Sequence, residues 1–233
     1  MTASASEASV PSINTSFSTE PVSSVMSATE EKVRAAAVRV VATRGGHGSG
    51  SLVKYKGLTL VITAKHVANG SLGTIYYIMT NNETKAAILV YLDPNHDMSL
   101  LYLPEDFVTA EPLKFSTKNE IASVGEEITY SGFPSSHQLM TFRGRVAGYE
   151  TLEGPGLQIL LHTHGWFGCS GSLVYDNDGD IVGILWGIDT AKTGYGPQII
   201  ENMVWVQPIQ ALDLDRSLVS LCASLQTKVR ACR

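Results

Sequence analysis

Two sets of six short β-rich runs constrain this chain more than any other feature of its sequence. The first set covers residues 37–43, 48–55, 58–63, 74–79, 86–92 and 98–103, and the second covers 127–132, 139–149, 157–162, 172–176, 180–187 and 199–206. Turn residues bound each run, and a polar connection containing Pro104 and Pro112 separates the sets. Runs of this length and spacing predict an all-β antiparallel fold, either small barrels or a sandwich. The 21 glycines suit a protein with many tight turns, and 233 residues at 44% hydrophobic content are enough for one large or two small cores. After Pro208 the period changes. Ile209, Leu212, Leu214, Leu218, Leu221 and Leu225 predict an amphipathic helix within 208–233, expected to pack on the second half of the chain and followed by a basic tail of Lys228, Arg230 and Arg233. Residues 1–30, dominated by Ser, Thr, Ala, Val and Glu, read as a disordered arm, with a short helical turn at 30–35 leading into the first strand.

The chemistry centres on Gly168-Cys169-Ser170-Gly171-Ser172. A serine flanked by glycines in a tight loop exposes its hydroxyl and leaves backbone N–H groups aimed at one spot. Acyl transfer needs both a nucleophile and donors for the oxyanion that forms beside it. A serine hydroxyl is a weak nucleophile at neutral pH, so a histidine must lie near it, with a carboxylate to orient that histidine. Val61-Ile62-Thr63-Ala64-Lys65-His66-Val67 places His66 at the end of an apolar run. Asn95-His96-Asp97-Met98-Ser99-Leu100-Leu101 places Asp97 at the start of another. Asp93 is the nearest rival carboxylate, but it precedes Pro94, which favours a turn role.

With His66, Asp97 and Ser170 in this order, each at a strand edge, the chain resembles the chymotrypsin-fold serine proteases. The likeness is to the short, disulfide-free kind found in viral polyproteins and in some bacterial trypsin-like peptidases. Gly48-Ser49-Gly50-Ser51-Leu52, Gly132-Phe133-Pro134 and Val182-Gly183-Ile184-Leu185-Trp186-Gly187 also match, so the resemblance covers roughly 35–207. It implies a protease domain over 31–207 built as two six-stranded antiparallel barrels, about 35–105 and 120–207. It also implies a serine endopeptidase with Ser170 as nucleophile, His66 as general base and Asp97 orienting it. The N–H groups of Gly168 and Ser170 would form the oxyanion hole. Leu185, Trp186 and Gly187 would pair with the substrate backbone, with Thr163, His164 and Leu185 lining the first specificity pocket. Relatives that cut after Gln or Glu carry a histidine where Leu185 falls, and this chain departs from them there. The alternatives are that His164 substitutes for that histidine or that Asp189 attracts a basic substrate residue, and each otherwise reads as an ordinary loop residue. In the secreted relatives the residue before the serine is an aspartate that pairs with a freed N-terminus. Cys169 cannot make that pair, so the loop must be held by other means. Cys169 is also a rival nucleophile, one residue early and expected to point the other way.

The implied partner is a polypeptide substrate, its own polyprotein among the candidates, with no cofactor. The net charge of −5 gives no argument for nucleic acid, and Arg143 and Arg145 read as solvated surface. Three cysteines, at 169, 222 and 232, are too few for a disulfide framework, although a Cys222–Cys232 bridge is conceivable. The chain therefore reads as reduced and intracellular, with neither a secretory signal nor a membrane segment expected. The sequons at Asn14, Asn69 and Asn82 are then expected to be silent. Asp176-Asn177-Asp178-Gly179-Asp180 resembles the start of a calcium loop but lacks the distal glutamate, so it reads as a hairpin turn, and no Cys/His spacing suggests zinc. Two other functional classes remain open: a catalytically silent protease-fold binding module and a structural β protein.

Overall fold

The computed structural model describes residues 25–43 and 45–224. The arm up to residue 24, with Asn14, and the segment from 225 onward, with Cys232 and the basic tail, lie outside the described residues. The chain enters through helix α1 (Ala28–Ala36), which takes up the end of the expected arm and is longer than the expected turn. A capping box starts it. The Ser27 hydroxyl accepts from Glu30 N–H at 3.2 Å, and the Glu30 carboxylate accepts from Ser27 N–H at 2.6 Å. Glu30 is buried and takes a 2.6 Å hydrogen bond from Arg143. The Arg143 guanidinium is the main reason its pKa falls to about 2. Arg143 is exposed, as expected, and also tethers α1, while Arg34 adds bonds to Thr141 Oγ1 and Leu139 O at 3.0 Å each.

Strands β1 (Ala37–Ala42), β2 (His47–Tyr55), β3 (Leu58–Thr63), β4 (Ile75–Met79), β5 (Thr84–Leu92) and β6 (Ser99–Tyr102) form an antiparallel ring in the order β1-β4-β5-β6-β3-β2, closed by pairing of β1 with β2. A two-residue strand, β7 (Leu113–Lys114), lies parallel to β2 within the connection between the barrels. A second barrel closes from β8 (Glu127–Gly132), β9 (Met140–Leu152), β10 (Gly156–His162), β11 (Leu173–Asp176), β12 (Ile181–Thr193) and β13 (Gly196–Pro208), in the order β10-β13-β12-β11-β8-β9. The architecture is thus two β barrels with a C-terminal helix, in the chymotrypsin-like arrangement.

The apolar runs follow from where the strands sit. β3 is buried along its whole length because its two faces meet different cores. Val61 points into the first barrel with Val38, Leu52 and Leu101, whereas Leu58, Leu60 and Ile62 point into a cluster shared with Leu173, Tyr175, Ile181 and Ile184 of the second. A strand apolar on both faces reads as a continuous run rather than an alternating one. The shared cluster welds the two barrels together and places the end of β3 at their junction.

Helix α2 (Leu214–Ser224), preceded by a 3-10 turn at Ile209–Ala211, corrects one expectation. It docks on β5 of the first barrel rather than on the second. Leu214 and Leu218 join the shared cluster with Val90 and Tyr91, and Asp215 accepts from the Tyr55 hydroxyl at 2.9 Å. The C-terminal segment therefore straps across both barrels. The β12–β13 hairpin is also longer than expected, running past Gly187 to a turn at Gly194 and Tyr195. The 176–180 loop is a turn in which Asp176 Oδ1 accepts from the N–H groups of Asp178 and Asp180 at 2.9 Å each, while Lys118 Nζ sits 2.5 Å from Asp176 Oδ2. Cys169 is a free, buried thiol, while Cys222 is disulfide-bonded, so the expectation of fully reduced thiols does not hold there.

Candidate active site

His66 and Asp97 are brought together by strand register. β3 and β6 are antiparallel with Thr63 opposite Ser99, so the chain leaving β3 and the chain entering β6 meet at one end of the barrel. After Thr63 the backbone turns, with Val67 and Ala68 N–H bonding to Ala64 O at 3.1 and 3.2 Å, and this turn presents His66. Asp97 holds it at two points. One carboxylate oxygen accepts from the His66 backbone N–H at 2.8 Å, and the other lies 2.5 Å from ring Nδ1. The second contact places the ring proton on Nδ1, and Nε2, with no partner among the described residues, keeps its lone pair free. About half of the His66 side chain is exposed, 48%, so the ring is reachable from solvent.

The Ser170 loop comes from the second barrel and is pressed against that junction. Gly171 has φ +93°, and a Cβ there would stand 2.1 Å from Ser49 O and 2.2 Å from Thr63 Oγ1, so no other residue fits. A Cβ on Gly48 would lie 2.4 Å from Val67 and 2.8 Å from Ser170 O. The Ser170 loop and the His66 turn are therefore closely packed, directly at Gly171 and through Gly48 of β2. Ser170 Oγ donates to Trp186 O at 3.5 Å, and among the described residues no hydrogen bond joins it to His66.

Sequence reasoning missed what holds this loop. Ser49, fully buried on β2, gives its N–H to Ser170 O at 2.8 Å and its hydroxyl to Gly168 O at 2.7 Å, and that hydroxyl accepts from Phe133 N–H at 2.9 Å. Ser135, at φ +49°, gives its N–H to Phe167 O at 2.6 Å and accepts from the Trp166 indole at 3.0 Å. The carbonyls of 167, 168 and 170 are thus fixed from outside the loop. The N–H groups of Gly168 and Ser170 have no acceptor among the described residues, as an oxyanion site requires. The only hint in the sequence was a serine set between two glycines just ahead of an apolar strand.

Cys169 faces the other way. Its side chain lies in the second-barrel core with Tyr130, Val174 and Leu185, and burial pushes its thiol pKa up. A buried, protonated thiol is inert.

The substrate-recognition residues expected from sequence divide. Trp186 is partly exposed, and its indole donates to Gln158 Oε1 at 2.8 Å, with Gln158 in turn bonded to Gln207 at 2.9 Å. It lines a cleft of about 410 Å³ with His66, Asn95, Asp97, Pro155 and Gln207. Leu185 does not fit the role expected of it. Its side chain is 1% exposed, and its backbone is bonded to Gly171 and Ser172, so the edge open to a peptide begins at Trp186 and continues through Gly187. Thr163 is buried with its hydroxyl given to Arg143 O at 2.8 Å. His164 is exposed, its carbonyl accepts from the Tyr130 hydroxyl, and its ring lies 5.6 Å from Phe142. No helix among the described residues is long and apolar enough to cross a membrane.

Among curated proteins none matches this chain. Solved structures of the Rv3671c protease of M. tuberculosis share its fold. The inactive form superposes with a TM-score of 0.65 at 18% identity, covering 82% of this chain and 91% of that one. The active form gives 0.64 at 17% identity, covering 83% of each. Residues 48–184, a stretch holding His66, Asp97 and Ser170 and more than half of the chain, match the model of the trypsin-like peptidase domain, and the chain belongs to that family.

Proposed function

We propose that this protease is a serine endopeptidase that hydrolyses peptide bonds through an acyl-enzyme. Ser170 is the nucleophile, His66 the general base, Asp97 its orienting partner, and the N–H groups of Gly168 and Ser170 the oxyanion hole. The observation that carries this reading is the two-point hold of Asp97 on His66, which leaves Nε2 free at the junction where the Ser170 loop is packed. Ser170 Oγ releases Trp186 O, gives its proton to Nε2, and bonds to the substrate carbonyl carbon. The carbonyl oxygen becomes an oxyanion between the two N–H groups. The imidazolium, stabilised by Asp97, returns the proton to the leaving amine as the C–N bond breaks. Water, deprotonated by the same nitrogen, then cleaves the acyl-enzyme. Such a site acts on a polypeptide, and polyprotein maturation is the setting we favour, supported by the likeness of the motifs to short polyprotein-processing proteases.

A silent binding module is favoured by one observation, the bond from Ser170 Oγ to Trp186 O in place of His66. An active-site serine probe with peptide-library cleavage separates the two readings. The protein is expected to be labelled and to cut peptides, and Ser170→Ala to lose labelling and on the order of 10⁶ of turnover. An unlabelled wild-type protein, or equal labelling of Ser170→Ala, overturns the endopeptidase reading.

A further inference from the structure

Each donor of the oxyanion site belongs to a peptide plane whose carbonyl points the opposite way. In a trans peptide C=O and N–H are antiparallel, so whatever grips the carbonyl aims the N–H. The Ser170 N–H is aimed from inside its own loop, because Cys169 O accepts from Ser172 N–H at 3.0 Å. The Gly168 N–H is aimed from outside. The carbonyl of its peptide, Phe167 O, accepts from Ser135 N–H at 2.6 Å, and from no other group among the described residues.

Ser135 sits at φ +49° in the loop between β8 and β9. A residue with a side chain keeps that conformation only where its surroundings impose it. The loop lies against the donor residue itself, since a Cβ on Gly168 would stand 2.4 Å from Phe133 O and 3.0 Å from Ser135 N. Two arginines of the entry segment hold the loop as well. Arg39 of β1 donates through Nη2 to His137 O at 2.6 Å, and its guanidinium lies 4.9 Å from the centre of the Phe133 ring. Arg34, in the last turn of α1, donates through Nη2 to Leu139 O at 3.0 Å. Register brings Arg39 there. It is opposite Ser49 across the β1–β2 pair, so the two side chains share a face, and the Ser49 hydroxyl accepts from Phe133 N–H. The arginines thus grip carbonyls just beyond Ser135, and Ser135 grips the loop that carries the nucleophile.

We propose that Arg39 and Arg34 are positioning residues for the reaction. By pinning the 133–139 loop they keep Ser135 N–H on Phe167 O, and so keep the Gly168 N–H turned toward the oxyanion. The inference rests on the endopeptidase reading. With the loop released, Ser135 relaxes out of its positive φ and the 167–168 peptide is free to turn its N–H away. Ser170, His66 and Asp97 keep their places, because none of their own hydrogen bonds runs to this loop. The entry segment supplies the hold that Cys169, which has no carboxylate, cannot anchor.

The test uses the full chain and one peptide cleaved in the library. Arg39→Met keeps an apolar stem against Phe133 and removes the donor to His137 O. We expect kcat to fall by about tenfold to about a hundredfold, approaching the cost of a lost oxyanion donor, with KM within about twofold, because the donor acts in the transition state. Arg39→Lys, which keeps a donor, should recover most of that loss. A second readout separates aiming from general loosening. Phe167–Gly168 is the only Phe-Gly step in the sequence, so isotope labels on phenylalanine carbonyl carbon and glycine nitrogen give one NMR signal, the Gly168 amide. Arg39→Met is expected to displace that signal in the free enzyme, toward which a peptide boronate bound to Ser170 serves as the wild-type reference for an engaged N–H. Arg34→Met, which frees the loop at Leu139 O, carries the same expectation and covers an Arg39 variant that fails to fold. If the wild type is labelled at Ser170, a folded Arg39→Met protein with wild-type kcat, or with lowered kcat and an unmoved Gly168 signal, overturns this inference alone. A wild-type protein neither labelled nor active on any peptide overturns the endopeptidase reading and this inference with it.

Discussion

Two histidine–aspartate pairs sit side by side at one end of the first barrel, alike in chemistry and unlike in use. His66 Nδ1 meets Asp97 Oδ2 at 2.5 Å, and His96 Nδ1 meets Asp93 Oδ1 at 3.0 Å. Asp93 is buried and closes a local turn. Besides the His96 ring, it accepts from the N–H groups of Asn95 and His96 at 2.9 Å each and from the Tyr91 hydroxyl at 3.0 Å. Burial alone raises its pKa, but these hydrogen bonds outweigh it and the net shift is downward. Asp97 spends both oxygens on one distant residue, His66, which lines a cleft with Trp186. The first pair is what a four-residue turn makes by itself. The second, 31 residues apart, exists only because β3 and β6 are in register. A His–Asp contact is therefore no sign of catalysis until it is known what else the carboxylate does and where the ring opens.

The sharpest test of that contrast is Asp97→Asn. The amide has one acceptor oxygen where the carboxylate has two, so it cannot accept from both the His66 backbone N–H and Nδ1–H, and it no longer fixes the tautomer. We expect kcat/KM to fall by about 10⁴ with the fold intact. The matched Asp93→Asn should lower kcat/KM by less than about tenfold, since its pair bears on the turn and not on the cleft. Equal losses from both variants break the comparison and return the orienting role to the whole 93–97 loop.

Asp93→Ala probes the structural pair. It orphans the Tyr91 hydroxyl and the N–H groups of Asn95 and His96, so we expect a loss of about 1–3 kcal/mol in urea unfolding at neutral pH. The pH dependence has a definite sign. Asp93 has a lowered pKa when folded, so its charge stabilises the fold above the ordinary carboxylate value of about 4, and that contribution disappears as pH falls through the folded value. The gap between wild type and variant should therefore narrow on acidification below about pH 4. A gap that stays constant through that range shows that the Asp93 charge is not what holds the turn.

What the sequence made legible follows the same division between local and distant causes. β3 was read to the residue because a strand buried on both faces leaves a nearly continuous apolar run, and β8 because Ile128 and Tyr130 alternate with polar residues between Gly125 and the Gly132-Phe133-Pro134 turn. The outer hairpin at 188–199 was missed because it stands away from the core, and Asp189, Thr190 and Lys192 carry no apolar alternation to read. The α2 helix was legible as a helix, but periodicity says which face is apolar and not which barrel receives it. β7 is too short for any period. In the site, His66, Asp97 and Ser170 were legible as residue types at strand edges. The support for the loop was not, because Ser49 and Ser135 act through backbone carbonyls, and such partners leave no mark in side-chain spacing.

The smallest expected effect concerns neighbours rather than pairs, and it extends the contrast to Ser170 and Cys169. By intrinsic reactivity the thiol is the better nucleophile, yet it is the residue that placement disables. Its side chain is sealed against Tyr130 in the second-barrel core, and burial pushes its pKa up, so the thiolate is not populated near neutrality. Ser170 has the weaker nucleophile and the better position, next to free N–H groups and in contact with the His66 turn. Cys169→Ala should therefore leave kcat/KM within about threefold of wild type while costing about 1 kcal/mol of stability, the toll of removing one buried heavy atom. The native protein should also resist alkylation by iodoacetamide at Cys169 until it is unfolded. A folded Cys169→Ala variant without turnover moves the chemistry to the thiol and makes position a poorer guide than reactivity at this loop.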